Sequence, residues 1–223
     1  MSLSKNRMLW VMGGALAVAA TVSYMRFGRP RVLNWGANPK EAARLMPGDD
    51  ILSEASLQTT RAITVDAHPK AIWPWLVQMG PRPRAGAYTY DWIERLLGID
   101  IENTDRILPE FQHLQVGEKM ALNKRGDGII VREIHPERFL VLQWVPAGST
   151  WTFGLYSNDG QTRLVSRNRL AGSGVKFWLP MIAVMEPGSL IMERKMLQRI
   201  KQRAESLAHA QVPDGRVEER QRV

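Results

Sequence analysis

The chain of 223 residues carries 44% hydrophobic and 23% charged residues, the balance of an ordinary globular domain rather than of a disordered or collagen-like chain. It contains no cysteine, which excludes a disulfide framework, thiolate metal sites, iron–sulfur clusters and a cysteine nucleophile. Five of the eight net positive charges fall within residues 1–31, and no Lys/Arg run elsewhere carries interleaved aromatics, so the basic balance does not point to nucleic acid as a partner.

From Met8 to Met25 the sequence runs for 18 residues without a charge, between Lys5 and Arg7 on one side and Arg26, Arg29 and Arg31 on the other. A helix of that length covers about 27 Å at about 1.5 Å per residue, enough for a bilayer core, and Trp10 and Tyr24 stand where interfacial aromatics belong. Residues 1–31 therefore read as an N-terminal transmembrane anchor with basic flanks. Ala17-Val18-Ala19 keeps a cleaved signal peptide open as the alternative. Lys40 and Arg44 add to the downstream positives, a bias that expects a single-pass membrane protein with its domain on the cytoplasmic side.

Residues 32–57 read as an ordered linker. Pro39 and Pro47 frame one short helical stretch, Pro39–Leu45, and Gly48-Asp49-Asp50 is a turn whose adjacent acids shape the turn rather than bind metal. Thr59–Val65 alternates as a strand. Asp66 to Pro69 supplies a cap and a first-turn proline for a helix through Met79, with Ile72, Trp73, Leu76 and Met79 as its apolar stripe and Pro74 bending its entry. Gly80–Gly86 is a breaker-rich loop carrying Arg82 and Arg84. A second short helix follows in residues 87–98, with Tyr90, Ile93 and Leu97 on one face and Gly98 closing it. Five strand-like runs come next, in residues 119–123, 128–134, 138–145, 149–157 and 162–170, separated by Gly- and Pro-containing turns. A long helix opens near Pro187–Ser189 and runs to about Ala208; Met192, Met196, Ile200 and Leu207 form its apolar face, and charges including Glu193 cover the other side. Residues 210–223 read as a disordered tail.

A strand, two short helices, a hairpin meander and one long closing helix make an α+β order. Residues 58–209 are expected to form a helix-grip domain, a curved antiparallel sheet wrapped around the C-terminal helix. The segments TTRAITVDAHPKAIWPWLVQMG, YTYDWIERLLG, NTDRILPEFQHLQVGEKM and EPGSLIMERKMLQRIKQRAE resemble the START-like (SRPBCC, polyketide cyclase-like) superfamily over residues 33–206, and more narrowly a bacterial, membrane-anchored branch of it. The resemblance implies a deep cavity between sheet and long helix that holds hydrophobic small molecules or lipids, and some members of the superfamily catalyse cyclisation or dehydration. It implies no shared catalytic set, and no cofactor or metal is expected.

No P-loop, G-x-S-x-G elbow, H-E-x-x-H helix or G-x-G-x-x-G turn is present, so any chemistry must come from the cavity's own side chains. Tyr88, Tyr90 and Asp91 gather aromatic faces and a carboxylate within four residues, a mix suited to orienting a guest in an apolar pocket. Packing is the alternative, with Asp91 as a cap or an ion-pair partner of Arg95 or Arg106. Gln143 shares a strand side with Phe139, Val141 and Val145, where an amide needs either a neighbour or a ligand. Arg167 and Arg169 share a side with Val165, from which a guanidinium can meet a carboxylate. Tyr88, Tyr90, Gln143, Trp144, Trp151, Arg169 and Met196 are the expected ligand-binding residues. His113, with Glu110 and Asp91, is the constellation suited to proton transfer. Three readings follow: a membrane-anchored domain that binds a hydrophobic or amphipathic small molecule or lipid without reacting it; a cyclase- or dehydratase-type enzyme; and an interaction module whose cavity is filled by its own side chains, with an apolar patch near Phe177–Met185.

Overall fold

A computed structural model describes residues 2–96, 101–122, 127–145, 148–173 and 181–210. Leu97 and Gly98, the turns at Arg125-Gly126 and Pro146-Ala147, most of the apolar stretch before the long helix, the tail from residue 211 and the side chain of Arg95 lie outside the described residues.

Helix α1, Ser2–Ser23, runs through a π-helical turn at Tyr24–Gly28 into α2, Arg29–Leu33, and a short α3 follows at Pro39–Ala43. Strand β1 is Leu57–Val65, followed by helices α4, Pro69–Val77, and α5, Asp91–Leu96. The meander comprises β2 Lys119–Ala121, β3 Gly128–His135, β4 Phe139–Val145, β5 Thr150–Asn158 and β6 Gln161–Leu170, and helix α6, Glu186–Ala210, closes the chain. All six strands form one antiparallel sheet in the order β1-β6-β5-β4-β3-β2. The β5–β6 hairpin turns on Asp159-Gly160, both at positive φ, the backbone that suits a two-residue turn between twisted strands.

The sheet has two differently used faces. Ile63 and Val65 of β1, Leu140 and Leu142 of β4, Phe153 and Leu155 of β5 and Leu164 of β6 point inward to a core completed by α4 and by Met196, Leu197, Ile200 and Ala204 of α6. Burying a side chain such as Leu197 or Ile200 there contributes about 1.5–3 kcal/mol. The α+β helix-grip arrangement is thus present: sheet, long helix across its inner face, and the apolar stripe of α6 turned inward. Glu193, expected on the solvated side of that helix, is instead buried, because Arg61 of β1 projects from the same inward face and pairs with it.

The outer face is covered as well, and the cover is the segment expected to be a linker. Residues 36–49 lie across β1 and β6, with Met46 packed against Ala62 and Val165. A capping box opens α3: Glu41 N–H donates to Asn38 Oδ1 at 2.9 Å and Asn38 N–H to Glu41 Oε2 at 2.8 Å. Gly36 and Gly48, at φ of 74° and 82°, approach the sheet so closely that a Cβ would run into the Ala62 carbonyl and the Val141 side chain. Asp49 does act in its turn, accepting from Met46 N–H at 2.9 Å, and also takes Arg167 Nη1 at 2.7 Å.

Among the described residues no helix is long and apolar enough to cross a membrane, which corrects the expected transmembrane helix. The uncharged stretch does not coincide with one helix. Helix α1 begins at Ser2, includes Lys5 and Arg7 in its first two turns and ends at Ser23, where the π-helical turn takes over. Only residues 8–23 of it are uncharged, about 24 Å against the roughly 30 Å of a hydrocarbon core.

Candidate functional site

An apolar pocket of about 50 Å³ opens where the inner faces of β3, β4 and β5 meet the loop after α4. Met79, Ala87, Met120, Leu142, Trp144 and Trp151 line it, with Gly80, Pro81, Ile101, Leu122 and Ile129. The elements explain the placement. Leu142 and Trp144 alternate inward along β4, and Trp151 pairs with Leu142 across β5, so their rings and methyls share one patch. Trp151 packs on Phe153 at 4.8 Å between centroids. The loop Gly80–Gly86 closes on itself through a two-way backbone bridge. It is pinned by Arg84, which donates to Val77 O at 2.7 Å and Met79 O at 3.1 Å and pairs with Glu118 at 2.9 Å.

Behind the pocket lies a buried polar cluster. The indole N–H of Trp151 donates to Ser166 Oγ at 2.9 Å, and Ser166 donates to Glu193. Glu193 also accepts from Arg61 and from Asn168, the latter at 3.3 Å, while Arg61 reaches Ser189 Oγ at 3.0 Å. Burial pushes the Glu193 carboxyl above its ordinary value, with Arg61, Ser166 and Asn168 pulling the other way. Chemically this is a satisfied ion pair within the core, separated from the pocket by the Trp151 ring.

Trp144 and Trp151 line the pocket, and Met196 of α6 is fully buried in the core. Tyr88 is also fully buried. Its hydroxyl donates to Trp75 O at 2.9 Å and accepts from Gln78 Nε2 at 3.0 Å, its ring stands edge-on to Trp75, and burial drives its phenol pKa far upward. Every polar atom of that side chain is taken up by protein. Tyr90 is half-buried beside Lys195 of α6. Asp91 accepts from Asn103.

Gln143 and Arg169 lie on the other face from the pocket. Gln143 alternates with the inward Leu142 and Trp144, and it accepts from Arg132 Nε at 2.6 Å on the neighbouring strand. Arg169 donates to Leu52 O and Ser53 O at 3.0 Å, fastening the outer cover. Of the proton-transfer set, Glu110 is exposed within the short 3-10 turn Pro109–Phe111 and His113 is exposed just after it, whereas Asp91 is half-buried at the start of α5. The structure does not join the three by any hydrogen bond among the described residues.

Arg61, Glu193, Ser166 and Gln78 were not among the expected site residues, yet the sequence carried a signal for the first two. Arg61 interrupts the inward row Thr59, Ile63, Val65, and Glu193 lies three and seven residues before Met196 and Ile200, the spacing of one helix face. Opposite charges on two apolar faces are the mark of a buried pair.

No family model matches the sequence, and no curated protein matches it. Solved structures do resemble the fold. Protein MLL2253 from Mesorhizobium loti aligns at 16% identity over 67% of this chain and 98% of its own, with a TM-score of 0.39. The Aha1 dimer from Colwellia psychrerythraea aligns at 16% identity over 67% and 96%, with a TM-score of 0.41. CalU16 from Micromonospora echinospora aligns at 15% identity over 68% and 86%, with a TM-score of 0.33. The architecture described above rests on the strand order and the position of α6, independently of these likenesses.

Proposed function

We propose that this protein is a START-like helix-grip domain that binds the apolar end of a small molecule or lipid in the pocket beneath Trp144 and Trp151, and that residues 8–25 hold it at a membrane surface. The observation that carries the reading is the lining itself: among the described residues no titratable side chain lines the pocket, and two half-buried indoles form part of its wall. Such a wall recognises shape and apolar surface. A volume of about 50 Å³ is well below the roughly 300–1,000 Å³ of sites that enclose a drug-sized ligand, so the guest inserts a short alkyl or ring-edge group. The same lining favours binding over cyclisation or dehydration, since proton transfer needs an acid or base within reach of the guest.

Titration of the full chain with 1-hexanol, followed by tryptophan fluorescence, tests the pocket, with xenon NMR as a second probe of a dry apolar cavity. The wild type is expected to give a saturable response. Ala87→Phe, which fills the pocket from a half-buried position, is expected to abolish that response while the cooperative thermal transition persists. A wild type silent to both probes, or an undiminished response in Ala87→Phe, refutes the assignment.

A further inference from the structure

A second cavity, sharing no residue with the apolar pocket, lies along the C-terminal half of α6. It is an open cleft of about 690 Å³ between that helix, α4 and residues 105–107, lined by Arg106, Arg199 and Arg203 together with Trp75, Ile107 and Asp105. Among the described residues, three guanidinium groups thus meet one carboxylate. Asp105 is 92% exposed and engages Arg203, and among the described residues Arg106 and Arg199 pair with no acid. Collecting like charges in one concavity is unfavourable unless an anion joins them.

Arg203 Nε and Trp75 Nε1, on two side chains that line the cleft, are buried donors without a hydrogen-bond partner, in a setting where nine buried polar groups in ten are paired. The walls are also fixed in advance. Buried Gln78 donates to Arg106 O at 3.1 Å and accepts from Leu108 N–H at 2.9 Å, clamping the backbone on either side of Ile107. The Arg203 guanidinium is held 4.8 Å from the Tyr88 ring centroid and 5.8 Å from that of Trp75. A preorganised site loses less freedom on binding than a mobile one.

We propose that this cleft is a binding site for a small phosphate monoester carried on an apolar body. The excess of two positive charges matches the charge of about −1.5 to −2 on a phosphate monoester near pH 7. Guanidinium forks fit its oxygens, and the half-buried Ile107 and Leu207 offer apolar surface to the body. The volume lies within the range of sites that enclose small organic ligands, which favours a soluble ester over an extended polyanion.

Isothermal titration of the full chain with phenyl phosphate, inorganic phosphate and phenol tests the site. One equivalent of phenyl phosphate is expected to bind, inorganic phosphate to bind more weakly for want of the apolar contact, and phenol not at all. Arg106→Ala/Arg199→Ala is expected to weaken phenyl phosphate by about tenfold or more, and binding is expected to fall as salt rises. Arg203 stays in place in that variant because it also stacks on Tyr88. Ala87→Phe is expected to leave phenyl phosphate affinity unchanged, which separates this site from the apolar pocket. The proposal is overturned by a wild type that does not bind phenyl phosphate, by a double variant that binds it equally well, or by inorganic phosphate binding as tightly as the ester.

Discussion

Arg61 and Glu193 face each other with both side chains almost wholly out of water, so neither charge can be removed alone without stranding the other. Glu193→Gln leaves the Arg61 guanidinium buried without its counterion, and breaking a buried pair in this way costs about 3–5 kcal/mol. Replacing both partners by apolar residues, Arg61→Met/Glu193→Leu, removes the need for the pair and is expected to recover most of that loss. Urea denaturation of the two variants and the wild type measures the difference. A Glu193→Gln protein as stable as the wild type would show that Ser189 Oγ and the Val32 carbonyl suffice to solvate the guanidinium. Tyr88 is a second residue whose surroundings hold it in place. It adopts φ of 58° without being glycine, a left-handed backbone that costs about 1–2 kcal/mol, and its buried hydroxyl bonds and ring contacts offset that cost.

At the scale of elements, the outer cover depends on the arginines of β6. Arg163 grips Glu41, with Nε to Oε1 at 2.7 Å, and Arg167 ties Asp49 together with the carbonyls of Glu41 and Ala42. Burial opposes ionisation of Glu41, but Arg163, the Asn38 N–H and Arg44 outweigh it and hold its carboxyl below the usual 4.5. A carboxyl with a depressed folded value stabilises the fold above its unfolded value, and that contribution is lost as pH falls through the folded value. Thermal unfolding from pH 7 down to pH 3 is therefore expected to show a steeper decline in the wild type than in Glu41→Gln, with the two curves converging at the acid end. Parallel curves would place the pH sensitivity elsewhere. The strands, the turn at Asp159-Gly160 and the long helix were legible because alternation and helical spacing are local. Which face a strand side looks toward is not local. Gln143 and Arg169 share sides with Val141 and Val165, as the period of two requires, but those valines pack outward under residues 36–49. Nothing in a Pro- and Gly-rich linker announces that long-range ion pairs will fold it back onto the sheet. Trp144 and Trp151 line the pocket because large apolar groups on the α6 side of the sheet have only one place to go.

For the molecule as a whole, the N-terminal helix is the part whose surface does not match water. Trp10, Leu16, Val18, Val22 and Phe27 are each more than half exposed, with Arg26 and Arg31 beside them, the mix that favours a position among lipid head groups. In flotation assays the full chain is expected to rise with vesicles containing phosphatidylserine, and Leu16→Glu/Val22→Glu to remain largely at the bottom. Equal flotation of both proteins would remove residues 8–25 as the attachment.

The body of the fold receives this segment through a bidentate contact, Arg29 Nη2 and Nε on Glu186 Oε1 and Oε2 at 2.7 and 3.0 Å, and through Arg61, which donates to Val32 O at 3.3 Å. Glu186 begins α6, about two turns before Glu193. The Arg29–Glu186 pair thus fastens the foot of the N-terminal segment to the first turn of the grip helix, whose far end forms a wall of the basic cleft.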